Sequence, residues 1–179
     1  ARPQLPQFFA LPSLIAVHFP KQRGYCLSFR RIPDTLVGMK PLRVVIDTNV
    51  LVAGLRSRRG ASFALIQKLG GPDFIPLLSP PLCVEYEDVL ARPGMIPGFT
   101  TVDAGDFVDY MVSVSEECRV YFLWRPWLPD PKDDLLLEVA LAGGASHIVT
   151  HNIRDFAGAD QLSITVITPD QFLKHIPIP

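Results

Sequence analysis

Cysteine is scarce in this chain. There are three, Cys26, Cys83 and Cys118, and no two of them form a C-x-x-C pair. An odd, scattered set argues against a disulfide framework and against a zinc knuckle, and suits a reducing compartment such as the cytosol. Long apolar runs are also missing: none approaches the roughly 18 residues that a membrane span requires. No phosphate-cradling P-loop and no nucleophile elbow occurs, which removes two large enzyme classes. There is no internal repeat.

What is present is an ordinary globular composition, with 48% hydrophobic and 20% charged residues in 179. That length is enough for one well-buried domain. The formal net charge of −1 conceals an imbalance. Residues 1–42 carry six basic residues (Arg2, Lys21, Arg23, Arg30, Arg31, Lys40) and one acid, Asp34. Beyond them stand 11 basic and 17 acidic residues, a net of −6. A nucleic-acid binder normally shows a basic footprint. An acidic body fits such a role only if several carboxylates converge on cations that neutralise them.

The first 41 residues read as a disordered or non-native extension. Pro3, Pro6, Pro12, Pro20, Pro33 and Pro41 interrupt every helix that could start there. The apolar piece from Leu11 to Phe19 contains Pro12 and lacks a small-residue cleavage pattern, so a secretory signal is not expected. Met39-Lys40 is the expected natural start, because regular patterning begins four residues later.

From residue 42 to 179 the pattern predicts one domain. Arg43–Asp47 is a β-branched, buried-strand sequence; Asn49–Leu55 and Ala61–Leu69 are helical. Phe74–Ser79 reads as a second strand, followed by a helix opened by Pro80-Pro81 and running to Ala91. Val102 to Glu117 has helical spacing, Cys118–Trp124 reads as a third strand, and Asp133–Ala142 as a helix. His147–Thr150 and Ser163–Ile167 are short strands, "HNIRDF" between them a loop, and Pro169–His175 a closing helix. Alternating strands and helices imply a three-layer α/β/α fold with a central parallel sheet of four to five strands.

In such sheets the working crevice lies beyond the carboxyl ends of the strands. The acids of this chain stand there. Asp47 closes the first strand, Glu85 lies in the helix after the second, Asp133 and Asp134 open a later helix, and Asn152 and Asp155 follow the fourth strand. A lone buried carboxylate is costly, and clustered ones cannot all ionise without compensation. Hard divalent cations such as Mg²⁺ or Mn²⁺ take oxygen ligands of this kind.

Three blocks carry a family resemblance: "VVIDTNVLVAG", "SPPLCVEYEDVL" and "DPKDDLLLEVALAGGASHIVTHNIRDF". In this order they resemble the PIN domain, in the branch of toxins from bacterial toxin–antitoxin pairs (VapC-like ribonucleases), over about residues 42–176. The resemblance implies a metal-dependent endoribonuclease that cuts single-stranded RNA to leave a 5′-phosphate and a 3′-hydroxyl. It further implies a homodimer, a cognate antitoxin protein as partner, and no membrane. Asp47, Glu85 and Asp133 occupy the first three acidic positions and would hold Mg²⁺ or Mn²⁺. Many members carry Asp where this chain has Asn152. Asp155, Asn152 or neither then completes the site; Asp155 is read as an outer ligand or as the group that orients the attacking water. Thr48, Asn49 and Thr150 are expected to fix the carboxylates, with Asn49 also placed to cap the following helix.

Other features have plainer readings. Asp134 reads as a helix-dipole charge, Asp130 as loop-solvated, and Asp103, Asp106, Asp109, Glu116 and Glu117 as a wet helix face. Phe107, Tyr110 and Met111 fit core or a dimer surface. His147 and His151 read as incidental, His151 being the better placed for RNA. Arg56, Arg58 and Arg59 are equally suited to RNA phosphates, an acidic inhibitor tail or solvent. Trp124 and Trp127 read as packing, with the substrate groove as the alternative. The competing function is a catalytically weak PIN-like module that binds RNA or protein, which Asn152 would permit. A haloacid-dehalogenase-type phosphotransferase also ends its first strand in Asp, but it wants a second Asp where Asn49 stands.

Overall fold

A computed structural model describes residues 41–123 and 125–176. The extension expected at residues 1–41 lies, except for residue 41, outside the described residues, as does Trp124.

Five strands form one sheet: β1 (Leu42–Ile46), β2 (Phe74–Leu78), β3 (Glu116–Glu117), β4 (His147–Val149) and β5 (Thr165–Ile167), in the order β3-β2-β1-β4-β5. All four pairings are parallel, with Ile46 opposite Val149 and Val149 opposite Ile167. Parallel neighbours need crossovers, supplied by α1 (Thr48–Arg56), α2 (Ala61–Gln67), α3 (Pro80–Leu90), α4 (Thr101–Val114), α5 (Asp134–Gly143) and α6 (Pro169–His175). This is the expected α/β/α layering. Val44, Val45 and Ile46 of β1 are at most 1% exposed, which is why that strand reads as an unbroken β-branched run rather than an alternating one.

Chain order places β2 on one side of β1 and β4 on the other. The crevice between β1 and β4, at their carboxyl ends, is therefore the topological switch point where open α/β sheets hold ligands. The ends are held flush: Asp47 N donates to Val149 O at 2.9 Å, and Thr150 N to Ile167 O at 3.0 Å.

The third strand departs from expectation. It is Glu116–Glu117, not Cys118–Trp124, and α4 stops at Val114. Glu116 is held at the sheet edge by an ion pair with Arg43 of β1, and Cys118 N donates to Leu78 O at 2.6 Å as the ladder ends. Tyr121, Phe122 and Leu123 lie 70–78% exposed. Their β-rich composition has no sheet neighbour to pair with. On α4, Phe107 and Met111 are core, Tyr110 bonds Leu69 O at 2.9 Å, and Asp103 forms a capping box with Thr100. Of the acids read as one wet helix face, Asp103 is thus a cap, while Glu116 and Glu117 belong to the sheet.

Candidate active site

Asp47 leaves the end of β1 and is 8% exposed. It caps α1: Oδ1 accepts from Asn49 N at 3.1 Å. The helix cap is thus Asp47, and Asn49 serves as its donor rather than as the cap itself. Oδ2 accepts twice more, from Asn49 Nδ2 at 2.7 Å and from Thr150 Oγ1 at 2.6 Å. Thr150 is fully buried and in turn accepts from Asn49 Nδ2 at 3.2 Å and from Asn152 N at 2.9 Å. Asn49 Oδ1 takes the N–H of His151 at 3.2 Å. A carboxylate oxygen offers about two lone-pair sites. Oδ2 is therefore satisfied by protein, while Oδ1 keeps one site open. Burial raises the Asp47 pKa, opposed by the Thr150 and Asn49 hydrogen bonds and the charge of His151.

Glu85 arrives on α3, six residues after the helix cap Ser79. Thr48 Oγ1 donates to Glu85 Oε1 at 2.8 Å, tying α3 to the start of α1. The next residue, Tyr86, is fully buried and donates to the carbonyl of Ile46, the residue before Asp47. The second acid is thereby braced against the strand that ends in the first.

Asp133 stands at the N-terminus of α5, and its side chain makes no capping bond there. Its pKa is pushed up to about 6, first by burial and then by the negative charges of Asp47, Asp130, Asp155 and Glu85. Every contribution acts in the same direction. Asp155 lies in a short 3-10 segment, Ile153–Phe156, that the sequence reads as loop. Asn152 is exposed just before it and contributes its backbone N–H to Thr150.

Accumulated negative charge at oxygen donors is the chemistry a divalent cation answers, so the residues present suit Mg²⁺ or Mn²⁺ in kind. Among the described residues no group of three or more His, Cys, Asp or Glu side chains is arranged to hold a metal ion. Asp47 and Glu85 are instead turned toward Asn49, Thr150 and Thr48.

Sequence reasoning passed over several residues that shape this edge. Asp134, read as a dipole charge, is fully buried and accepts from Leu128 N at 2.9 Å and Trp127 N at 3.3 Å. Glu138, one turn further on and 1% exposed, takes a two-pronged bond from Arg125, at 3.2 Å from Nε and 3.1 Å from Nη2. Two buried carboxylates on one face of α5 thus hold down the loop preceding Asp133. The i, i+4 spacing was visible, but acids in a helix are usually solvated. Asp130, read as loop-solvated, acts on Asp133 through its charge. The histidines divide: His151 Nε2 lies 2.8 Å from Ser62 Oγ, whereas His147 packs edge-on against Phe172 and at a tilt beside His175. Arg56 ends α1, and Arg58 and Arg59 follow in a bend; all three are exposed.

A parallel α/β/α fold whose first strand ends in a buried Asp at the switch point defines the class: an open-sheet protein with acidic residues along its carboxyl edge. The PIN domain family model matches residues 43–154, well over half of the chain. The chain belongs to the PIN domain family. A solved structure of VapBC2 from Rickettsia felis, bound to a DNA fragment from their promoter, is similar in fold. Its TM-score is 0.50 at 14% identity, covering 70% of this chain and 98% of that one. No curated protein sequence matches the chain significantly. Among the described residues no helix is long and apolar enough to cross a membrane.

Proposed function

We propose that the protein is a metal-dependent endoribonuclease that hydrolyses phosphodiesters of single-stranded RNA, and the toxin of a type II toxin–antitoxin pair. The observation that carries the reading is the buried Asp47 at the carboxyl end of β1, with Glu85 tied to the start of α1 by Thr48. Membership of the PIN family supports it. The similar Rickettsia felis complex supports an antitoxin as partner; a homodimer and a cytoplasmic location belong to the same proposal.

Asp47, Glu85 and Asp133 would hold Mg²⁺ or Mn²⁺, with Asp155 as outer ligand. When bound, such an ion supplies the positive charge that lets these carboxylates stay ionised together and offsets charge on the phosphate. The chain's own residues do the rest. Asn49 and Thr150 occupy Asp47 Oδ2 and so direct Oδ1 outward; Thr48 orients Glu85. Asp155 orients the attacking water. Water oxygen bonds to phosphorus as the bond to the 3′ oxygen breaks, leaving a 5′-phosphate and a 3′-hydroxyl.

A second reading, a catalytically weak module that binds RNA or protein, is favoured by one residue. Asn152 offers an uncharged amide where Asp is common in the family branch. Cleavage of single-stranded RNA with Mn²⁺ or Mg²⁺, by native protein and by Asp47→Asn, separates the two. Activity in the native protein alone supports the nuclease. No activity in either, with RNA still bound, supports the module. Equal cleavage by both overturns the nuclease reading.

A further inference from the structure

Trp127 occupies an unusual position for a tryptophan. Its main chain is anchored in the interior, because its N–H donates to the fully buried Asp134 and its neighbour Leu128 is 3% exposed. The chain two residues before it is held by the Arg125–Glu138 pair. Yet Trp127 itself is 39% exposed. The backbone that carries a partly exposed indole is thus held by bonds made elsewhere.

Its location is equally specific. The backbone anchor, Asp134, is adjacent in sequence to Asp133. On the other side the indole reaches Gly158, three residues past Asp155: a Cβ built on Gly158 would lie 3.6 Å from Trp127 Nε1. Gly158 has φ of +100°, a conformation that favours glycine. Trp127 therefore joins the start of α5, through its backbone, to the segment that follows Asp155, through its indole. Tyr121, Phe122 and Leu123 are more exposed, but lie at least ten residues from Asp133 along the chain.

Stacking of a nucleobase on an aromatic face is tolerant of sequence and open only to unpaired bases. We propose that Trp127 is the stacking platform for an unpaired base of single-stranded RNA beside the phosphodiester that the acids attack. This rests on the ribonuclease reading. The clamp formed by Asp134, Arg125 and Glu138 makes the platform rigid before substrate arrives, so little order is lost on binding.

The test measures binding without cleavage. Asp47→Asn protein is mixed, in chelator, with a labelled single-stranded RNA of about 12 nucleotides. Trp124→Phe in the same chain leaves Trp127 as the only tryptophan of the two. RNA is expected to quench its fluorescence. Trp127→Ala is expected to raise Kd about 5- to 100-fold, the range set by one stacked base. The slope of log Kd against log salt should not change, because no phosphate contact is removed. Trp127→Phe should recover most of the affinity. Saturating RNA without quenching, or Trp127→Ala within two-fold of its parent, overturns the platform and leaves the nuclease reading standing. A parent that binds no RNA overturns both.

Discussion

Thr150 Oγ1 donates to Asp47 Oδ2 at 2.6 Å, joining residues 103 positions apart across the switch point of the sheet. The bond lies in a fully buried hydroxyl and so cannot be replaced by water without opening the crevice. Thr150→Val keeps the shape and removes the donor. It is expected to cost about 1–3 kcal/mol of stability and to weaken Mn²⁺ binding about 10- to 100-fold, with Thr150→Ser restoring both. Thermal unfolding and calorimetric titration check this; unchanged Mn²⁺ affinity in the valine variant would remove Thr150 from the site.

The acid cluster makes a prediction about pH. Asp133 is raised to about 6 and Asp47 is raised as well, both by burial first. A carboxyl whose pKa is higher folded than unfolded binds protons more tightly in the native state. Stability of the metal-free protein must then fall as pH rises from about 4 through 6. Solvent screening at the partly exposed Asp133 keeps the slope shallow. Tm measured in chelator should decline over that window, Asp133→Asn should flatten the decline, and Mn²⁺ should offset it at neutral pH. A Tm that climbs across the window contradicts the cluster.

The loop clamp can be dissected at Arg125. Removing the guanidinium leaves the buried carboxylate of Glu138 without its two-pronged donor. A fully enclosed pair broken this way costs about 3–5 kcal/mol. Arg125 is 43% exposed, so water can replace part of the loss and about 1–3 kcal/mol is expected for Arg125→Ala. The double variant Arg125→Leu/Glu138→Leu should be more stable than Arg125→Ala, since it strands no charge. Denaturant unfolding of the three proteins decides it, and equal stability of Arg125→Ala and native protein counts against the clamp.

Packing beneath the first acid's helix depends on Gly54. A Cβ there would meet Ile66 Cδ1 at 2.5 Å and the carbonyl oxygen of Ser62 at 2.8 Å. The side-chain tip can turn away, but the backbone of α2 cannot. Gly54→Ala should destabilise by about 1–3 kcal/mol as α1 and α2 are pushed apart, despite alanine's better helix propensity. A Tm equal to or above native would show that the two helices separate freely.

Much of this was readable along the chain. The β-branched run before Asp47 and the Pro80-Pro81 helix start are local signals, and each produced an element within a residue or two of its place. Strand–helix alternation implied the parallel sheet, and strand ends implied where Asp47, Glu85, Asp133 and Asp155 would gather. The inference about the sheet holds because periodicity reports which face is buried, and burial is decided residue by residue. Other features depended on partners distant in sequence. A β-rich stretch at residues 118–123 is not strand, because the ladder beside β2 ends at Glu117. Asp134 and Glu138 resemble solvated helix acids until loop donors descend on them. Asp47 Oδ2 gains its second donor only because the fold brings Thr150 to it from the end of β4. Composition and spacing determined the layers and the order of strands and helices that builds them. Tertiary structure alone decided which hydrogen bonds each carboxylate makes, because a polar side chain in the interior must find a donor, and the donor's position is set by the whole fold.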